Sequence, residues 1–149
     1  NTAAGLTTIA EKAPIPLTSI AAGQDTFHNA LIEAYLYLHQ YPSHRVLVID
    51  FDQPLPDVYR EYEDQHYADY ALGLVLTTGN DYSVSRAIPN RPIVSKPIAS
   101  KSIANESSTT HLPQGLQALQ HILLGTQHWT ISGKHQNWSW NNATPGTQK

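Results

Sequence analysis

Residues 16–51 constrain the fold more than any other part of the chain. The run Pro-Leu-Thr-Ser-Ile-Ala-Ala begins at Pro16 and stops at Gly23. Thr18 and Ile20 are β-branched and sit at its centre, which predicts a short buried strand over 16–22. Gly23 breaks it, and Asp25 or Thr26 is placed to cap a helix. In 27–38 the apolar set Phe27, Leu31, Ala34, Tyr35 and Leu38 recurs at spacings of three and four, the mark of a helix packed on one face. Tyr41-Pro42 ends it. Residues 45–51, Arg-Val-Leu-Val-Ile-Asp-Phe, form a nearly continuous apolar run, as expected of a strand covered on both faces. Strand, tight turn, helix and strand together predict a βαβ unit with a right-handed crossover.

The flanks are read the same way. Residues 2–10 are small and helix-compatible around Gly5, and read as the end of a helix. Residues 57–64 are acidic and exposed. Tyr70–Thr78 is an apolar strand, Gly79-Asn80-Asp81 a turn, and Tyr82–Ile88 an alternating strand expected to close a hairpin with it. Residues 89–112, rich in Ser and Pro, read as a loop or arm. Pro113 starts a helix that ends at Gly125. Trp129–Ser132 and Trp138–Trp140 predict a terminal hairpin about Gly133, with 143–149 as a frayed tail.

Composition narrows the function. The chain has 149 residues, which suits one domain over 1–149. Charged residues are only 14%, which points to surface covered by a partner. A net charge of −3 lacks the basic footprint of a nucleic-acid binder. No apolar run has the length of a membrane span. There is no cysteine, which removes disulfides, thiolate metal sites and a cysteine nucleophile. There is no methionine, Asn1 is not an initiator, and no secretory signal pattern opens the chain, so a processed or partial chain is expected.

Other candidate sites read as structural. His28 and His39 lie about three turns apart on one helix, too far for one ion. His44, His66, His111, His121, His128 and His135 show no ligand spacing, so no metal is expected. Asp57, Glu61, Glu63 and Asp64, interleaved with Tyr59 and Tyr62, suit a solvated or partner-facing segment. Arg86, Arg91, Lys96 and Lys101 could dock an acidic carrier protein, but a solvated loop is the simpler reading. Sequons start at Asn105, Asn137 and Asn142. Trp138 and Trp140 share a strand face and, with Trp129, suit hairpin packing better than a ligand platform.

The segment 1–52 resembles the N-terminal half of ketosynthases with the thiolase fold. Asn1, Ala4 and Gly5 match their Asn-x-x-Ala-Gly helix end. Pro16, Ser19 and Ile20 match their nucleophile strand, while Leu17 and Ala22 depart from it. The register places Gln24 on the catalytic cysteine. More closely, the chain resembles ketosynthase-like chain length factors of aryl polyene and polyketide clusters. The shared pattern includes Ser19-Ile20-Ala21-Ala22-Gly23-Gln24-Asp25-Thr26-Phe27, Glu33, Asp52-Gln53-Pro54-Leu55-Pro56, Tyr70-Ala71-Leu72-Gly73-Leu74, Leu123-Leu124-Gly125 and Trp138-Ser139-Trp140. Members of that family carry a stretch before the Asn, so an N-terminal portion is expected to be missing here.

The resemblance implies half of a thiolase-like α/β fold, with a mixed sheet containing the βαβ unit, a C-terminal helix and a hairpin. It implies no catalytic residue, no cofactor and a cytoplasmic setting. Gln24 stands at the nucleophile-equivalent position, flanked by Gly23 and Asp25 on the elbow. Glutamine cannot form the acyl thioester that chain extension requires. The resemblance makes Pro16, Leu17, Thr18, Ser19, Ile20, Ala21 and Ala22 the strand that pairs across a twofold with a cysteine-bearing ketosynthase. Phe27, His28 and Leu31 are expected near that partner or the acyl tunnel, whose length they would set by bulk. An acyl carrier protein would be a transient partner. Two alternatives stay open. One is decarboxylation of a malonyl carrier through Gln24, which in the family relies on histidines of the C-terminal half; His111 is the nearest candidate here, without matching context. The other is a free-standing module that binds acyl carrier protein.

Overall fold

The computed structural model describes residues 2–62, 67–87, 112–134 and 136–144. The elements run α1 (Thr2–Ala10), α2 (Thr26–Gln40), β1 (Val46–Asp52), β2 (Tyr70–Leu76), β3 (Tyr82–Ala87), α3 (Gln114–Leu123), β4 (His128–Ser132) and β5 (Asn137–Asn142). Short 3₁₀ turns occupy Gly23–Asp25 and Asp57–Tyr62.

Two antiparallel sheets form. In the first, β1 pairs with β2 from Val46↔Leu76 to Asp52↔Tyr70. In the second, the order is β3-β5-β4. Alternation along β4 and β5 turns Trp129, Ile131, Trp138 and Trp140 inward. Trp129 and Trp140 are cross-strand partners whose rings stack at 5.3 Å, the kind of contact that fixes strand register. These residues join Phe27 of α2, Leu72 of β2 and Ala118 of α3 in one buried cluster. The core therefore lies where the second sheet, α2, α3 and the inner face of β2 meet.

The α2 face is nearly as its spacing predicts. Phe27, Ala34 and Leu38 are buried, and Leu31 packs against the core. Tyr35 does not join them and is 64% exposed. At about 100° per residue it stands about 80° from Phe27, while the others fall within about 40°. α3 ends as expected: Gly125 has φ +63°, Thr126 N–H bonds His121 O and Gly125 N–H bonds Ile122 O. This is the paired closure that satisfies the last carbonyls of a helix. The hairpin about Gly133 forms, with the Gly133 N–H on Gln136 O at 2.8 Å.

Several expectations are corrected. Residues 16–22 are not a strand of either sheet, so the βαβ unit does not close here and both sheets are antiparallel among the described residues. Extended backbone becomes a strand only when a neighbour completes its hydrogen bonds, and residues 16–21 make no backbone hydrogen bond among the described residues. β2 does not form a hairpin with β3. It pairs with β1, while Val84 of β3 is set against Trp140 of β5; residues 77–81 carry the chain from one sheet to the other. β1 is covered on one face only. Val48 is buried, but Leu47, Ile49 and Phe51 are 60%, 59% and 66% exposed, since no described element lies over them. Of the expected tail, Ala143 is held by Asp81 O. The expected arm at 89–111, together with Glu63, Asp64, His66, His135 and residues 145–149, lies outside the described residues.

Burial predicts which apolar residues carry stability. Ile131 is fully buried and Leu47 is not. Ile131→Ala should lower unfolding stability by about 3–4 kcal/mol, whereas Leu47→Ser should change it by about 0.5 kcal/mol or less. Urea denaturation of the two variants checks the contrast.

Candidate functional site

The site is the elbow that joins residues 16–22 to α2. Gly23 has φ +57°, a left-handed conformation that a side chain disfavours. Thr26 locks the turn from within: its hydroxyl donates to Gly23 O at 2.7 Å and accepts the Ala22 N–H at 2.9 Å. The Thr26 N–H also reaches Gly23 O, and the Asp25 N–H bonds Ala22 O. Asn29 Nδ2 donates to Asp25 O at 2.8 Å from the first turn of α2. Gln24 sits half-buried at the apex.

Asp25 does not cap the helix with its side chain, contrary to expectation. Its carboxylate is used over long range instead. Oδ1 accepts the indole N–H of Trp138 at 2.8 Å and a longer bond from Gln114 Nε2 at 3.4 Å. The hairpin makes room for it at Gly133, where a Cβ would collide with Oδ1.

A buried polar network continues behind the elbow. Gln114 Nε2 also donates to Ser132 O at 2.9 Å. Its amide oxygen therefore faces His28 Nδ1, at 2.6 Å. The indole N–H of Trp140 meets His28 Nε2 at 3.1 Å. Since an indole nitrogen only donates, Nε2 is the acceptor and the proton sits on Nδ1, which donates to Gln114. His28 is 1% exposed and stacks on Trp138 at 4.5 Å. Burial lowers its pKa to about 4, against the raising pull of Gln114 and of Asp25. A second proton on Nε2 would point at the Trp140 N–H, so this packing holds the ring neutral.

On the other side of the elbow lies a cavity of about 170 Å³. Gln24, Phe27, Phe51, Asp50, Asp52 and Tyr70 are among the residues that line it, and none of its lining residues is a cation. Tyr70 donates its hydroxyl to Asp50 Oδ2 at 2.9 Å. Burial raises the Asp50 pKa, opposed by the Tyr70 bond and reinforced by Asp52. Burial, and then the bond to Asp50, raise that of Tyr70. Gly115 at the start of α3 leaves space for this carboxyl, since a Cβ there would meet Asp50 Oδ2.

The sequence-predicted residues separate into two environments. Residues 16–19, 21 and 22 are exposed and Ile20 is half-buried. Phe27 and His28, 2% and 1% exposed, are spent on this chain's own core and present no surface to a partner; Leu31 remains half-buried. Trp129, Trp138 and Trp140 pack inward rather than forming a platform. The described residues contain no group of three His, Cys, Asp or Glu arranged for a metal ion, and no described helix is long and apolar enough to cross a membrane. Sequence reasoning missed Asp50, Tyr70 and Gln114. The one available signal was an ionisable residue inside an apolar run, Asp50 in Val-Leu-Val-Ile-Asp-Phe.

Residues 1–141 match the family described as beta-ketoacyl synthase, N-terminal domain. The chain belongs to this family. It is also similar to a solved structure, a ketosynthase (ApeO) in complex with its chain length factor (ApeC) from Xenorhabdus doucetiae. The identity is 32% and the TM-score 0.73, with 95% of this chain covered and 53% of the matched one. The chain thus spans about half the length of its structural relative. No curated protein shows a significant match. The fold of this ketosynthase-family chain is a mixed α/β half of the thiolase-like fold.

The neutral His28 makes stability pH-dependent. The unfolded chain takes up the His28 proton near its ordinary value of 6.5, and the folded chain refuses it until about 4. The contribution is therefore intact above pH 6.5 and is lost as pH falls toward 4, on the order of 3 kcal/mol at full extent. Urea midpoints between pH 7 and 5 should fall, and His28→Gln should flatten that slope.

Proposed function

We propose that this chain is a non-catalytic chain length factor that pairs with a cysteine-bearing ketosynthase in aryl polyene or type II polyketide biosynthesis. The observation that carries the reading is the segment before the elbow. Residues 16–21 are largely exposed and make no backbone hydrogen bond among the described residues. A row of open N–H and C=O groups is a template for a strand from another chain. In the ketosynthase fold the resemblance makes this the dimer strand, and the similar solved structure is a ketosynthase with its chain length factor. Apolar side chains beside it, Ile15 and Leu17, are 61% and 45% exposed and add area a partner could cover.

Chemistry at the apex agrees with a structural role. A carboxamide at Gln24 can exchange hydrogen bonds but cannot hold an acyl group. Leu31, half-buried on α2, is the residue of the expected tunnel set that retains open surface, with Phe27 and His28 fixing the helix behind it. Bulk at this helix would set product length by steric closure, in a cytoplasmic assembly visited transiently by acyl carrier protein.

Decarboxylation through Gln24 is the weaker reading. A malonyl carboxylate would enter a cavity lined by the carboxyl groups of Asp50 and Asp52 and by no cation to meet its charge. A free-standing carrier-binding module leaves the open backbone of 16–21 without a use.

Co-expression with the cysteine-bearing ketosynthase of the same cluster should give one complex on gel filtration. Alternate backbone N–H groups of a strand point to opposite edges, so one of Ser19→Pro and Ile20→Pro should weaken the complex about tenfold or more by removing a ladder donor and bending the segment. Two species that elute separately, or acetyl-carrier formation by the purified chain that Gln24→Ala abolishes, would overturn the reading.

A further inference from the structure

The elbow's own bonds do not fix its direction relative to the rest of the molecule. The Thr26 hydroxyl, the Asp25 N–H and the Asn29 amide all close on residues 22–25, within four positions of themselves. They shape the turn but do not join it to the C-terminal hairpin. Two side chains, Asp25 and His28, tie the turn and the helix start to distant elements by hydrogen bonds. Asp25 Oδ1 takes the Trp138 indole N–H from β5 and Gln114 from α3. His28 takes the Trp140 N–H from β5 and gives its own proton to Gln114. Gly133 is left without a Cβ where the Asp25 carboxylate lies against the hairpin.

We infer that Asp25 is a positioning residue: by accepting the Trp138 indole N–H and the Gln114 amide, it couples the direction of Gln24 and of the open segment 16–22 to the C-terminal hairpin. The hairpin is distant in sequence, 113 positions from Asp25 to Trp138. Its role is to hold the elbow in a preset orientation before any partner arrives, so that the partner does not have to order it on binding. A carboxylate is the suitable acceptor because both of its partners are donors and it can serve them from one oxygen. Asparagine can supply the same acceptor oxygen; alanine cannot. The effect on partner affinity rests on the ketosynthase pairing proposed above, while the effect on the elbow itself does not.

The test uses the full chain in two arms. In the first, hydrogen exchange of the bonded amides of Ala22, Asp25 and Thr26 is measured by NMR in the free chain, with the Trp138 indole N–H resonance as a direct reporter. Asp25→Ala should speed exchange about tenfold or more, as expected for loss of a charge-assisted hydrogen bond, and should shift the indole resonance. Asp25→Asn should restore slow exchange. Trp138→Phe, which keeps a ring on His28 and removes only the donor, should repeat the Asp25→Ala result and serves if that variant does not fold. In the second arm, affinity for the ketosynthase should fall about tenfold in Asp25→Ala and recover in Asp25→Asn. Leu38→Val, a core change at the far end of α2, should leave both readouts near the native values. Elbow exchange in Asp25→Ala and Trp138→Phe no faster than in Leu38→Val would overturn the inference. If the native chain binds no ketosynthase, the pairing proposal falls and the exchange arm alone decides the positioning role.

Discussion

The Asp25 carboxylate, one residue beyond Gln24, is the interaction on which the arrangement of the molecule depends. It joins the start of α2 to the end of the chain. A charge placed there would be costly if it were not met by donors, and the Trp138 indole and the Gln114 amide supply them. Gln114 is also the hinge of a second set of bonds, to Ser132 and His28. Loss of one member leaves the others buried and unmatched, which is why such networks specify one geometry rather than merely adding stability. α2, α3 and the β4–β5 hairpin meet at this point, and the aromatic cluster of Trp129, Trp138, Trp140 and Phe27 closes over it.

The elbow thus has two unlike sides. Toward the hairpin, every polar group of the His28 network has a partner, and the imidazole is held neutral by burial. Toward β1, a small cavity is walled by Asp50, Asp52, Tyr70 and Gln24. Burial and mutual repulsion make Asp50 reluctant to ionise, and Tyr70 donates to it. The first side explains how the turn is held in shape from behind Gln24. The second has two carboxyl groups and no cation among its lining residues.

Apolar side chains are exposed on the open face of the first sheet and beside the segment before the elbow. Leu47, Ile49, Phe51 and Val75 form one face of the first sheet, each at least 59% exposed. Single exposed apolar residues are ordinary, but a contiguous set signals contact. This agrees with the low content of charged residues.

Much of this was legible in the sequence. Local periodicity identified α2, the strand expected at 45–51 and found at 46–52, the helix that ends at Gly125 and the Trp hairpin, because each is written by side chains within one turn or one pleat of each other. The glycine-centred elbow and the absence of a cysteine were equally plain, and together they leave no thiol to carry a thioester at this position. Strand partners were not legible. β2 was matched to β3 by proximity in sequence, yet it pairs with β1, because pairing depends on which apolar faces can be buried together across the fold. Nor could it be recognised that residues 16–21 make no backbone hydrogen bond among the described residues, since a strand-like run looks the same in sequence whether or not a neighbour completes its hydrogen bonds. Tertiary structure alone decided that His28 belongs to the core rather than to a partner surface, and that Asp25 reaches the hairpin instead of capping its own helix. Both outcomes depend on hydrogen-bond partners more than eighty positions away, and no local pattern records what will be brought to meet them.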